Sequence, residues 1–209
     1  MNNENEKLLR EHDVKKLLFK LSIPAIAGMG INALYNFVDT FFVARASGEL
    51  AIGGLAFAFP IQMIILAIGL MIGVGASSVF SRAFGNKDYE KMEEAVNTGL
   101  RINIILATIV SILTFIFIKD LLVFFGATSE NISYGYDYLS IILIGLVPQS
   151  LSLVLTNLVR AEGRSKAAMY SLIIAGISNI ILDAIFIFGF NMGVKGAAFV
   201  VVREAHMPA

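Results

Sequence analysis

The chain has 209 residues, of which 57% are hydrophobic and only 15% charged, with a formal net charge of zero. Soluble domains carry about 25% charged residues, so the composition sets this chain outside that class, and the balanced charge argues against a nucleic-acid surface. There is no Cys, which excludes disulfides, thiol catalysis and thiolate metal sites.

A polar segment over residues 1–14 opens the chain and is expected to lie, amphipathic, on the cytoplasmic membrane surface. Uncharged runs then mark five spans, near 17–44, 51–80, 95–118, 134–158 and 167–190. A stub over 194–202 and an atypical tail over 203–209 follow. The longest run, between Glu49 and Arg82, encloses 32 uncharged residues, and the shortest, between Lys166 and Asp183, encloses 16. About 20 apolar residues cross a ~30 Å hydrocarbon core as a helix. Lipid offers no partners to a bare backbone, so each span is expected to be helical. The ~10-residue alternation of a membrane β-barrel is absent. These features predict an all-α membrane protein, a polytopic bundle of five transmembrane helices with a truncated sixth. A buried helix in a large soluble protein is the competing reading of any one run, but five in succession leave too little polar surface.

Ala44-Arg45-Ala46 has the small-x-small form of a signal cleavage site. The apolar stretch before it is too long for a signal core and contains Asn32, Asn36 and Asp39, so it reads as a mature helix. Twelve Lys and Arg residues fall in the N-terminal segment and the second and fourth loops with their margins. Only Arg45, Lys119 and Lys195 fall on the opposite side, which predicts a cytoplasmic N-terminus and a multi-pass protein of the cytoplasmic membrane. Arg101 lies within reach of the headgroups by snorkelling. His12 and His206 both lie in polar segments near the ends, so no transition-metal site is expected within the membrane.

Asp39 sits late in the first span and Asp183 late in the fifth, at similar depth. A carboxylate near mid-bilayer costs about 2.5–3.5 kcal/mol on insertion scales, so both need partners, water or a proton. Asn32, Asn36 and Thr40 repeat at helical spacing beside Asp39, and Asn179 lies one turn from Asp183. The functional reading is a polar cavity between spans one and five that loads and releases a small cation. The bland reading is that the two acids only tie helices together or reach the headgroups. Gly69, Gly73 and Ser77 form a small-xxx-small stripe, best read as close helix packing, and Pro24 and Pro148 should bend their helices.

Several segments resemble the multidrug and toxic compound extrusion (MATE) transporters. They are Pro24 followed by Asp39-Thr-Phe-Phe-Val-Ala-Arg45, then Ser81-Arg-Ala-Phe-Gly-Asn-Lys87 and Arg160-Ala-Glu-Gly-Arg-Ser-Lys166. Asn179-Ile-Ile-Leu-Asp183 and Gly193-Val-Lys-Gly-Ala-Ala198 complete the set, in the family's order. The resemblance implies half of a twelve-helix antiporter, two six-helix lobes around a central cleft, with no cofactor. It implies export of amphipathic, often cationic small molecules driven by proton or sodium entry, with Asp39, Asn179 and Asp183 as the cation site and Tyr35 and Asn36 as neighbours. Family members are about twice this length, so the C-terminal six-helix lobe is expected as a partner. The chain alone, read as a fragment or a frameshifted frame, is not expected to transport.

Three other readings compete. A lipid-linked oligosaccharide flippase of the same superfamily would line its cleft with basic residues, and none lies deep in a span. An intramembrane aspartyl protease would carry Gly-x-Gly-Asp, whereas Leu182 precedes Asp183 and Val38 precedes Asp39. A non-transporting membrane subunit is the third.

Overall fold

The computed structural model describes residues 14–190 and 192–204. The expected surface segment at the N-terminus, His12 and His206, the tail beyond Glu204 and the side chain of Asn32 lie outside the described residues. The described residues form helices throughout, without a strand.

Helix α1 runs Val14–Gly85, 72 residues. At 1.5 Å per residue that length would reach about 108 Å, several times a bilayer. Gly48, at φ 79° and ψ −176°, divides it into two arms, 14–47 and 49–85. The remaining elements are α2 (Tyr89–Ile116), α3 (Ile118–Phe124), α4 (Ile132–Ala161), α5 (Ser165–Asp183), a π-helical segment (Ala184–Gly189) and α6 (Gly193–Glu204). Asp88 caps α2, its Oδ1 accepting from the Lys91 backbone N–H at 3.1 Å.

Contacts made by small residues fix the directions of the helices. Gly54 of the second arm lies against Tyr134 and Gly135, Gly69 against Ser150 and Gly73 against Val154, so this arm runs parallel to α4. Gly28 lies against Leu172, and Gly176 against Ile31 and Tyr35, so the first arm runs parallel to α5. Between α4 and α5 the chain turns through Gly163 at φ 82°, which reverses it. The two arms of α1 are therefore antiparallel, and the reversal is concentrated at Gly48 where the sequence suggested a loop of several residues. Two further differences concern the expected third and fifth spans. The third begins earlier, at Tyr89, and passes at Phe117 into the short α3; the fifth leaves α-geometry at Ala184. The terminal stub continues as helix through Glu204.

Helix α4 is the centre of the bundle. Its Leu139, Ile142, Leu143 and Leu146 pack with Ala58 and Ile61 of the second arm, Ile187 of the π segment and Ala197 of α6. A second cluster at the opposite end joins Ala76, Phe80, Met92 and Leu158. Pro148 lies inside α4, and α2 clasps the chain on both sides of it. Ser111 donates to the Leu143 carbonyl at 2.8 Å, and Asn103 Nδ2 donates to Ser150 Oγ at 3.0 Å.

Polarity is inverted relative to a water-soluble fold. Asn103, Asn179 and Asp183 are at most 1% exposed, while Phe37, Ile144 and Phe124 are 70%, 75% and 81% exposed. At roughly 25 cal/mol per Å² of apolar surface, such an exterior is favourable against lipid or another apolar surface and not against water. Four helical stretches, Leu18–Gly85, Tyr89–Ile116, Ile132–Ala161 and Ser165–Gly189, are long and apolar enough to cross a membrane, and the Gly48 break makes two crossings of the first.

One backbone-to-backbone approach predicts a packing defect. A Cβ at Gly54 would lie 2.8 Å from the Asn131 carbonyl and 2.9 Å from the Gly135 nitrogen, both backbone atoms that cannot yield. Gly54→Ala should therefore destabilise the bundle by about 1–3 kcal/mol, read as a lower midpoint of thermal unfolding in detergent. Gly75→Ala, with no described neighbour within 4 Å, should leave that midpoint unchanged or raise it.

Candidate functional site: a membrane cavity with one wall carboxylate

The parallel packing of α5 on the first arm sets the height of the two acids. Asp39 and Asp183 each lie about three helical turns beyond the Gly28–Leu172 contact, so they sit at the same level. Their surroundings differ. Asp39 is partly buried and its Oδ1, inaccessible to solvent, has no hydrogen-bond partner among the described residues. Asp183 and Asn179 are fully buried between helices.

A cavity of about 890 Å³ opens beside Asp39, walled by both arms of α1, α4 and α5 and touched by Val201 of α6. That volume is in the range of small-molecule sites. Tyr35, Asn36 and Asp39 are on its wall, within about one helical turn of one another. Asn179 and Asp183 lie behind it and do not line it. The sequence placed the cavity between spans one and five; it extends across the second arm and α4 as well. Among the described residues Asp39 is the only charged one on its wall, and most of the rest is apolar, including Phe59, Met63 and Leu70.

Several hydroxyls on the wall are turned to their own helices. Thr40 Oγ1 donates to the Asn36 carbonyl at 2.9 Å, Thr156 Oγ1 to the Ser152 carbonyl at 2.7 Å, and Ser171 Oγ to the Ala167 carbonyl at 3.2 Å. Such bonds satisfy the hydroxyl locally and leave carboxamides and phenols as the groups best able to orient a guest. Tyr138 of α4 is 7% exposed, and its hydroxyl donates to Gln62 Oε1 at 3.5 Å. Tyr138 lies on the cavity wall together with Tyr35, Asp39 and Gln62.

Sequence reasoning missed three residues of the cavity wall, Tyr138, Gln62 and Gln149. A signal existed for Gln62, the one carboxamide in the long uncharged run between Glu49 and Arg82. Tyr138 follows Asp137 at the edge of its span, where a tyrosine reads as an interface anchor.

The chain matches the MatE family over residues 24–185. It is 28% identical over 198 residues to the multidrug export protein MepA of Staphylococcus haemolyticus, covering 95% of this chain and 44% of that protein. Its structure superposes on a MOP superfamily transporter from Pyrococcus furiosus with a TM-score of 0.91 at 30% identity, covering 98% of this chain and 45% of that one. It also superposes on the MATE multidrug transporter DinF-BH with a TM-score of 0.86 at 37% identity, covering 92% and 43% of the two chains. The chain spans less than half the length of these relatives.

Proposed function

This chain belongs to the MatE family, and we propose that it forms one helical lobe of an ion-coupled antiporter that exports amphipathic organic cations across the cytoplasmic membrane. The observation that carries this reading is the single carboxylate that the described residues place on the wall of an otherwise uncharged, mostly apolar cavity. An amphipathic cation gains from both features, its apolar body from the aliphatic and aromatic wall and its charge from Asp39. In the absence of cargo Asp39 must be neutralised by a proton or a sodium ion, because a lone carboxylate in a low-dielectric site is costly. Cargo and ion then compete for one group, which couples their movements. The resemblance assigns Asp39, Asn179 and Asp183 to the cation site with Tyr35 and Asn36 beside it; the equal height of the two acids on parallel helices supports that assignment.

The relatives are more than twice this chain's length, which supports a second six-helix lobe as the partner that closes the cavity. Alternating access rocks one bundle against another around a central site. The Lys and Arg distribution supports a cytoplasmic N-terminus, with the Gly48 end of the bundle facing out. A flippase for anionic lipid-linked sugars is disfavoured because no Lys or Arg among the described residues lines the cavity.

The test uses inside-out vesicles containing the transporter to which this chain belongs, with ethidium, a fluorescent and permanently charged aromatic cation, as cargo. Uptake should stop when an ionophore dissipates the gradient of the coupling ion, proton or sodium, and persist when only the other gradient is removed. Uptake indifferent to both ionophores would defeat the antiport reading.

A further inference from the structure

The large cavity does not reach Asp183. An acid that exchanges an ion needs a path to water, and a second cavity of about 410 Å³ lies at the Gly48 end of the bundle. It is walled by the first arm of α1, α4, the π segment and α6, and its lining includes Arg45, Ser47, Asp137, Ile187 and Lys195. It opens to solvent, since the Lys195 and Asp137 side chains are 53% and 37% exposed. On each of three elements about one turn or less separates it from the buried cluster. Val43 leads to Arg45 and Ser47, Tyr138 adjoins Asp137, and Asp183 leads to Ile187.

Ile187 is the lining residue that lies one turn after Asp183 along the helix. It is 1% exposed, it lines the second cavity, and it lies four residues after Asp183 on the same face. Side chains on a helix lean toward its N-terminus, so Ile187 covers the turn that carries Asp183. We infer that the second cavity is an outer antechamber through which Asp183 exchanges protons with water at the Gly48 end, and that Ile187 is the partition. This rests on the reading of Asp183 as an ion-exchanging group.

The width of the route, not its charge, separates a proton from a metal cation. Lys195 Nζ lies 3.2 Å from Asp137 Oδ2, so that pair largely cancels and Arg45 leaves the antechamber net positive. The positive charge of Arg45 opposes a sodium ion and a proton alike, but a proton relays along hydrogen-bonded water and needs no passage past Ile187 wide enough for a hydrated cation. The titratable and charged groups around the route are Arg45, Asp137, Tyr134 and Lys195 on the outer side of Ile187, and Tyr138, Tyr35 and Asp39 toward the large cavity.

The absence of Cys makes the test specific, because Ser47→Cys supplies a single attachment point in the antechamber. The chain in membranes is treated from outside with a water-soluble carbodiimide and an amine, and labelling of Asp183 and Asp39 is followed by peptide mass spectrometry. Ile187→Ala should raise Asp183 labelling severalfold and Ile187→Val less, with Asp39 labelling unchanged. A bulky maleimide on Ser47→Cys should cancel the gain at Asp183 only. The inference is overturned if the maleimide leaves the gain intact, or if neither Ile187 variant raises Asp183 labelling. Should Ile187→Ala raise labelling at both acids, the bundle has loosened and the smaller change in Ile187→Val decides on the same criteria. Labelling reports access and not export, so its failure would leave ion-coupled transport standing, and a failure of transport would leave the labelling pattern intact.

Discussion

In the transporter to which this chain belongs, Asp39→Asn is expected to abolish coupled export of ethidium while leaving the protein inserted and folded. The replacement keeps the shape of the side chain and removes the only charge that the described residues place on the cavity wall. A cation about 4 Å from a carboxylate gains up to about 4 kcal/mol at the effective dielectric of a partly screened site. Part of that gain is offset by desolvation, so ethidium binding to the purified chain should weaken by about ten- to a hundredfold, with 1.4 kcal/mol per tenfold. Fluorescence polarisation measures this directly. Thr40→Ala is the matching control: Thr40 lines the same wall, yet its hydroxyl is held by the Asn36 carbonyl, so affinity should hardly change. Equal binding by wild type and Asp39→Asn would remove the electrostatic basis of the site.

Gly48→Ala should destabilise the fold by about 1–3 kcal/mol, the cost of holding a non-glycine residue in a backbone region open essentially to glycine alone. The position isolates that cost, because no described atom lies within 4 Å of a Cβ built there. Thermal unfolding in detergent should show a lowered midpoint. Gly30→Ala, also without described neighbours but inside a helix, should be neutral or stabilising, since Ala is favoured over Gly in a helix interior by about 0.5–1 kcal/mol. An unchanged midpoint in Gly48→Ala would mean that the reversal does not depend on the conformation of Gly48.

The helical membrane fold was legible because lipid imposes a demand that sequence shows plainly: long runs without charge. The same logic exposed Asp39 and Asp183, since a charge inside such a run stands out against its neighbours. Their equal height followed from counting residues along two spans of like direction. What remained hidden depended on rotation and packing. Nothing in the residue order says that Asp39 faces a cavity while Asp183 faces the protein interior. That difference arises from how α5 turns against the first arm, through the contacts of Gly28 and Gly176. Tyr138 and Gln62 carry no formal charge and meet only across the packed bundle, 76 residues apart. The sharp reversal at Gly48 was obscured because Gly48 lies in a short polar stretch that suits an ordinary loop. The change to π geometry after Asp183 follows an unbroken apolar run, Ala184-Ile-Phe-Ile-Phe188, that would serve equally well in an α-helix.

Competition between ion and cargo at a single carboxylate is most directly tested by counting what leaves when cargo enters. Ethidium keeps its charge at every pH of interest, so any proton released on binding comes from the protein. Calorimetric titration of the purified chain with ethidium, in buffers of different ionisation enthalpy and with sodium present or absent, gives the proton and sodium stoichiometry of binding. Displacement of a proton or a sodium ion by the bound cation, lost in Asp39→Asn, is the expected result. Tight binding that displaces neither, with the same affinity at every pH and sodium concentration, would contradict the exchange.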